Sequence, residues 1–266
     1  MAKKKTIKTT VTTVTTVTSE PTGEKTHIIC VLDRSGSMSN IMEDSIGGFN
    51  TFLQQQRELP DDATITVALF DDKYELLYDN VDIKEVKDIT KKQWFARGTT
   101  ALYDAVGKTI NTDKANIGDM KKSDRPNKVL VCVVTDGWEN ASEEYTQDQI
   151  KTLIKDCEKN DWNFIYLAAN QDAFAAGQSF GISGANTFTY TATMDGVGKM
   201  SAKLSDVTSS YRGMSVSSAT FAADSKSLID DLDEDDEKDD LSGAVNNIDS
   251  VTFGDGNTTS DVTVDD

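Results

Sequence analysis

Between residues 26 and 206 the chain alternates short apolar runs with longer segments in which apolar residues recur every three to five positions. The short runs are typical of β-strands, and the longer spacing is typical of helices that bury one face. Strands are predicted at 27–32, 64–70, 128–135 and 164–169, with a hairpin turn at Asp71-Asp72 leading to another at 74–78 and a last short one at 187–189. Helices are predicted from residue 41 to near Pro60, from near Ala101 through Ile110, over 150–157, and around 194–206 and beyond.

The order of these elements predicts an α/β fold. Strands that alternate with helices are joined by right-handed crossovers, so we expect a doubly wound, mostly parallel central sheet flanked by helices. The unbroken apolar run at 128–135 agrees with this, because a parallel strand is buried on both faces. We assign this domain to residues 26–223. Ligands of such sheets bind beyond the carboxyl ends of the strands, where the strand order reverses.

Three polar segments stand at the ends of predicted elements. Two of them end or follow strands: Asp33-Arg34-Ser35-Gly36-Ser37 and Thr135-Asp136-Gly137. The other lies within 97–104, where a predicted helix begins, and contains Thr99 and Thr100. Since Asp33 and Asp136 both end strands of one parallel sheet, their carboxylates should arrive at the same edge. Carboxylate and hydroxyl oxygens are ligands of small, hard divalent cations. The sequence therefore predicts a single cation site at this edge.

These three motifs, in their order along the chain, resemble the metal-ion-dependent adhesion site (MIDAS) of the von Willebrand factor A (vWA) family over roughly residues 26 to 190. The resemblance implies a Rossmann-like vWA fold and a bound Mg²⁺ or Mn²⁺. It also implies that Ser35 and Ser37 ligate the metal directly and that Asp33 and Asp136 act mainly through water. A threonine joins them, and Thr99 and Thr100 are adjacent candidates. The family's spacing, two residues before the leucine of a Leu-Tyr-Asp-like segment, selects Thr100.

Such a site favours recognition of a protein over catalysis. If both carboxylates act through water, the inner shell is neutral, and the metal can accept an Asp or Glu carboxylate of a partner protein. We therefore expect a metal-dependent interaction module and not an enzyme. The form of residues 97–105 resembles small vWA proteins of bacteria and their phages.

Two other functions are considered. One is a structural component of a virion or other assembly that acts through its terminal segments. The other is a Mg²⁺-dependent phosphatase-like enzyme with Asp33 as the nucleophile, although Ser35 stands where such an enzyme needs a second acid. The only histidine, His27, is interpreted as a polar residue at the end of a strand, so a Ser-His-Asp arrangement is unsupported.

The net charge of −18 is concentrated near the carboxyl end, where residues 224–266 contain 15 acidic and 2 basic side chains. This segment is expected to be an acidic, largely disordered tail, and residues 1–25 a flexible arm rich in Thr and Val. Asp231, Asp233 and Asp235 have the spacing of a calcium loop, but Asp236 and Ser242 replace the glycine and glutamate that an EF-hand requires. No dense basic patch indicates nucleic acid as a partner of the main domain.

The cysteines and the hydropathy suggest a location. Cys30, Cys132 and Cys157 lie in apolar segments and are predicted to be buried thiols. Their odd number and the lack of a signal-like apolar segment near Met1 favour the cytoplasm of a bacterium or of a phage-infected cell, with association with a virion as an alternative. No apolar stretch is long enough to span a membrane.

Two further residues near the predicted site have expected roles. Arg34 is expected either to steer an acidic partner towards the site or to be solvated. Asn140 is expected to cap the next helix and not to contact the ion.

Overall fold

The structure, a computed structural model, describes residues 23–169 and 173–213. The predicted acidic tail, with its calcium-like spacing, lies outside these residues, and so does almost all of the predicted arm at 1–25. The boundaries predicted for these terminal segments therefore stay predictions.

Six strands and five α-helices alternate along the described residues. The strands are β1 Thr26–Asp33, β2 Ala63–Phe70, β3 Tyr74–Asp82, β4 Lys128–Thr135, β5 Trp162–Ala169 and β6 Thr187–Tyr190. The helices are α1 Met42–Glu58, α2 Leu102–Asp119, α3 Gln147–Glu158, α4 Ala173–Phe180 and α5 Met194–Gly213, with short 3₁₀ helices at Gly36–Asn40 and Gly184–Asn186.

The strands form one sheet in the order β3-β2-β1-β4-β5-β6. All neighbouring pairs are parallel except β2 and β3, which form the predicted hairpin. The predicted doubly wound α/β fold is therefore confirmed. The chain passes from β1 to β2 on one side and later returns to β4 on the other, so the strand order reverses between β1 and β4. The carboxyl ends of these two strands are the place where such folds bind ligands.

Two apolar layers hold the helices on the sheet. On one face, the even-numbered residues of β1 pack with α1 and α5, and on the other face its odd-numbered residues pack with α2 and α3. Every residue of β1, β4 and β5 is buried. This explains why the central strands are almost continuously apolar and why they were predicted within one or two residues of their ends.

Some elements differ from the prediction. β3 continues to Asp82, because irregular pairing with β2 and a positive φ of 48° at Asn80 let the strand continue past its polar residues. α5 is not one of these, because helix was predicted around 194–206 and beyond, and α5 ends at Gly213. α4 was not predicted, since its sequence of small residues lacks a clear helical period.

The three cysteines are free and buried, as predicted. The cytoplasmic location inferred from them stays a prediction. Within the described ranges, no helix combines the length and the apolar character needed to cross a membrane.

His27 does lie near the amino end of β1, but it is buried and partnered. Its Nε2 lies 2.9 Å from Asp113 Oδ1 and its Nδ1 lies 2.8 Å from Thr64 Oγ1. The histidine therefore belongs to a polar cluster at the edge of the sheet opposite the carboxyl ends.

Candidate metal site

The site lies where β1 and β4 end side by side. Asp33 is the last residue of β1, and Asp136 directly follows β4. Asp33 is fully buried. Its Oδ1 accepts a hydrogen bond from the Ser35 amide (2.6 Å) and its Oδ2 accepts one from the Thr135 hydroxyl (2.5 Å). Both carboxylate oxygens are thus fixed by the protein.

Burial also changes the acidity of the two carboxylates. Loss of hydration raises the pKa of Asp33 to about 6, although the hydrogen bonds from Thr135 and Ser35 oppose this rise. Burial likewise raises the pKa of Asp136 above its usual value, against the hydrogen bond from the Ser37 hydroxyl. Two desolvated carboxylates close together are unfavourable when charged, so a cation between or beside them would be stabilising.

Three hydroxyl oxygens converge in front of these carboxylates. Ser35 Oγ lies 2.9 Å from Ser37 Oγ, which donates to Asp136 Oδ1 at 2.5 Å. A Cβ placed on Gly137 would lie 2.9 Å from Thr100 Oγ1, 3.3 Å from Ser37 Oγ and 3.5 Å from Ser35 Oγ. A side chain at 137 would therefore fill the space that the three hydroxyls share.

The structure brings together the residues predicted from the three motifs: Asp33, Ser35, Ser37, Thr100 and Asp136. The two adjacent threonines are clearly distinguished, because Thr100 is buried with its hydroxyl in this cradle and Thr99 is exposed. The assignment of these side chains as metal ligands stays a prediction.

Residues 97–101, here called the threonine loop, are joined to residues 136–140, the Asp136 loop. Asn140 Oδ1 accepts from the Thr100 amide at 2.9 Å, and the Asn140 amide donates to the Thr100 carbonyl at 3.0 Å. The expectation that Asn140 caps the next helix is therefore wrong. α3 is instead capped by Thr146, whose side chain forms a capping box with Gln149.

The first turn of α2 depends on the same region of chain. No side chain of its own caps α2, and its amides are instead satisfied from outside. Glu139 Oε2 accepts from the Tyr103 amide (2.9 Å), and Ser142 Oγ accepts from the Asp104 amide (3.1 Å). The segment after β4 therefore also fixes the helix that follows Thr100.

Comparison with known proteins finds a likeness in structure. No protein-family model matches the chain, and no curated protein does. The vWF domain of the type V pili tip protein Mfa5 from Porphyromonas gingivalis is similar, with a TM-score of 0.50 at 8% identity over 69% of this chain and 96% of that one. The pilus adhesin SpaC from Lactobacillus rhamnosus GG has a TM-score of 0.52 at 12% identity, over 71% and 31% of the two chains.

The third similar structure is proximal thread matrix protein 1 from the mussel byssus, solved with a zinc-occupied MIDAS motif. Its TM-score is 0.50 at 15% identity, over 71% of this chain and 47% of that one. This chain has the von Willebrand factor A fold. At these identities the likeness concerns the fold, and the chain spans less than half the length of the mussel and Lactobacillus proteins.

The vWA fold implies a metal at this edge, and the side chains present fit one. The side chains that could bind a metal are three hydroxyls and two carboxylates, all of them hard oxygens, and the absence of a side chain on Gly137 leaves the hydroxyls uncovered. Among the described residues no group of three or more His, Cys, Asp or Glu side chains is placed to hold a metal. This set of oxygens suits Mg²⁺ or Mn²⁺ better than ions that prefer nitrogen or sulfur.

Arg34 follows Asp33 in the candidate site, and both roles expected for it are wrong. Its side chain is 1% exposed, and its Nε donates to Asp71 Oδ2 at 2.9 Å while its Nη1 donates to Glu75 Oε2 at 2.5 Å. It is therefore an internal ion-pair partner. It neither faces solvent nor offers its charge to a partner protein.

Three residues that support the candidate site were not predicted. The Thr135 hydroxyl and the Trp94 indole hold Asp33, the latter by a 2.9 Å hydrogen bond from Nε1 to the Asp33 carbonyl. Asp71, predicted only as a turn residue, contacts Arg34 and Arg97. Thr135 stands within a recognised motif, whereas no sequence signal marks Trp94 or Asp71 as part of the site.

Proposed function

We propose that this chain is a metal-dependent protein-interaction module. In this proposal Ser35, Ser37 and Thr100 bind Mg²⁺ or Mn²⁺ directly, and Asp33 and Asp136 act through water. The convergence of the three hydroxyls in front of the buried Asp33 carboxylate and the half-buried Asp136 carboxylate carries the proposal.

The bound cation would supply a positive charge with a free coordination position for an Asp or Glu carboxylate of a partner protein. The residues that would hold the cation are themselves fixed by the fold. Ser35 is the N-cap of the 3₁₀ helix at Gly36–Asn40, Ser37 lies within that helix, and Thr100 is held by two hydrogen bonds to Asn140 of the Asp136 loop. Because these ligands would be held rigidly, an outside group could bind without rearrangement of the site.

The surface around the site supports a protein as the partner. Three large apolar side chains are markedly exposed among the described residues: Phe95 (41%), Trp138 (62%) and Met194 (73%). Trp138 directly follows Gly137, Phe95 precedes the threonine loop by two residues, and Met194 opens α5 just beyond the carboxyl end of β6. All three therefore lie at the edge that carries the site. Exposed aromatic side chains are frequent anchors in protein interfaces.

We also propose that the module is not an enzyme. Ser35 lies where a phosphatase of the kind considered would need its second acid. The only histidine of the sequence is buried at the opposite edge of the sheet. A structural role through the terminal segments would involve residues that lie outside the described ranges, so the proposal does not depend on it.

The test compares capture of partner proteins by four immobilised samples: the protein with Mg²⁺, the protein with EDTA, Ser37→Ala with Mg²⁺, and Ser39→Ala with Mg²⁺. Ser39 is a matched control, because it lies in the same 3₁₀ helix and its hydroxyl bonds only the Gly36 carbonyl. We expect a protein retained by the wild type and by Ser39→Ala with Mg²⁺, and lost in the other two samples. Equal recovery in all four samples would refute the proposal.

A further inference from the structure

We infer that Asp71 is a positioning residue for the metal site, which sets metal affinity by holding the threonine loop against residues 33–37, here called the first loop. The inference rests on the proposed function, because it concerns the affinity of that same site. Asp71 is not itself a candidate ligand, since it lies in the turn after β2 and bonds to Arg34 and Arg97.

The carboxylate of Asp71 joins the two loops through their arginines. Its Oδ2 accepts from Arg34 Nε at 2.9 Å and from Arg97 Nε at 2.5 Å. Arg34 is adjacent to Asp33 in the first loop, and Arg97 opens the threonine loop three residues before Thr100. One fully buried carboxylate therefore binds one residue from each of the loops that supply candidate ligands.

The main chain of Asp71 reinforces this junction. Its carbonyl accepts from the Ala101 amide at 2.9 Å, directly after Thr100. Its Oδ1 accepts from the Lys73 amide at 2.6 Å, which fixes the side chain within its own turn. Asp71 thus contacts both ends of the threonine loop, Arg97 and Ala101.

The two loops also contact each other directly, in a geometry that depends on this junction. The Arg97 amide donates to the Arg34 carbonyl at 2.8 Å, and the Gly36 amide donates to the Gly98 carbonyl at 3.1 Å. Gly98 has a φ of +66°, and a Cβ there would lie 2.0 Å from an Asp72 oxygen. The positive φ therefore favours glycine at this position, and the loop passes close to the Asp71-Asp72 turn.

Charge explains why a neutral side chain would not replace Asp71. Arg34 is 1% exposed, and its guanidinium also contacts Glu75 at the surface. Without the Asp71 charge, two guanidinium groups would face each other, and the buried Arg34 would keep only Glu75 as an ion-pair partner. Removal of one partner of a buried ion pair is costly. We expect the loops to separate, which would move Thr100 away from Ser35 and Ser37.

The experiment measures Mn²⁺ affinity by calorimetry on the full chain, at a temperature where circular dichroism shows every variant to be folded. Asp71→Asn is compared with Asp113→Asn. Asp113 is a matched control, because it is an equally buried carboxylate that hydrogen-bonds His27 and Thr66 at the opposite edge of the sheet. Both variants should lower the unfolding temperature, but only Asp71→Asn should weaken Mn²⁺ binding, by about tenfold or more.

Two further variants keep the inference falsifiable. If Asp71→Asn does not fold, Arg97→Gln replaces it, since that side chain is 39% exposed, and it should weaken Mn²⁺ binding by about threefold. Ser37→Ala separates the two proposals. If Ser37→Ala loses Mn²⁺ binding but Asp71→Asn keeps wild-type affinity, the inference about Asp71 is wrong and the proposed function stands. The same holds if Asp113→Asn weakens Mn²⁺ binding as much as Asp71→Asn does. A wild-type protein that binds no Mn²⁺ would overturn both proposals.

Discussion

Thr100 and Asn140 exchange two hydrogen bonds, one through the Asn140 side chain and one through its main chain. This pairing ties the threonine loop to the Asp136 loop, just as Asp71 ties it to the first loop. Thr100 is therefore held from both sides, by residues that are not candidate ligands themselves. The position of its hydroxyl depends on three segments that are far apart in the sequence.

The first prediction concerns Asn140, whose side chain is exposed and does not pack in the hydrophobic core. Asn140→Ala removes one of its two hydrogen bonds to Thr100 and should weaken Mn²⁺ binding by about fivefold, the equivalent of about 1 kcal/mol. The thermal unfolding midpoint should change little. Asn116→Ala, which removes another side-chain amide bonded near the surface, should leave Mn²⁺ affinity unchanged. Unchanged affinity in Asn140→Ala would show that the main-chain bond alone holds Thr100.

The second prediction separates the two adjacent threonines. Thr100→Ala should weaken Mn²⁺ binding by at least about tenfold, because a candidate ligand is lost. Thr99→Ala should bind as the wild type does, since Thr99 is exposed. Thr100→Ser keeps a hydroxyl and should recover most of the affinity. Calorimetric titration of the three variants measures this order, and a larger loss in Thr99→Ala than in Thr100→Ala would reverse the assignment.

The sheet was predictable because its strands are buried on both faces and carry few polar residues. β1, β4 and β5 are continuous apolar runs, and the period of apolar residues in α1, α2 and α3 marks the face of each helix that packs on the sheet. The prediction of β3 stopped early because a half-exposed edge strand carries polar residues. α4 has no marked polar face, so periodicity did not indicate it.

The candidate ligands were predictable because each stands in a short motif at the end of a strand or before a helix. The residues that hold these ligands in place were not predictable, because their contacts join segments that are far apart in the sequence. Arg34 and Asp71 are 37 residues apart, and Thr100 and Asn140 are 40 apart. Nothing in the local sequence shows that a charged residue beside a metal motif is buried and paired. Local sequence therefore indicates the chemistry of this site better than its architecture.

The third prediction concerns the surface around the site. Trp138→Ala should weaken retention of the captured partner by about tenfold or more, because an exposed tryptophan beside a binding site is a frequent anchor. Mn²⁺ affinity should stay unchanged, since the Trp138 side chain is not among the candidate ligands. Trp138→Phe, which keeps an aromatic ring, should lose less. Partner retention in Trp138→Ala equal to the wild type would place the contact elsewhere on the edge.

The last prediction concerns pH and the Asp71 ion pairs. Burial alone would raise the pKa of Asp71, but the hydrogen bonds from Arg97 and the Lys73 amide, with the charges of both arginines, hold it below its ordinary value of 3.8. A carboxyl group whose pKa is lowered by folding stabilises the folded state above its unfolded pKa. It loses that contribution as the pH falls through its folded pKa. Asp71→Asn should therefore lower the free energy of unfolding most at neutral pH, by about 2–3 kcal/mol. This loss is smaller than for a fully buried ion pair, because Arg97 is partly exposed.

Urea unfolding of both proteins from about pH 7 to about pH 3 measures this difference. The gap between wild type and Asp71→Asn should stay constant down to the ordinary carboxyl range and then narrow, because only the wild type takes up a proton at this position. Glu43→Gln is a suitable control, since its ion pair with Lys91 is exposed on both sides and should contribute little at any pH. A gap that stays constant to the lowest pH would mean that the charge of Asp71 does not stabilise the folded state, and that the variant acts through shape alone.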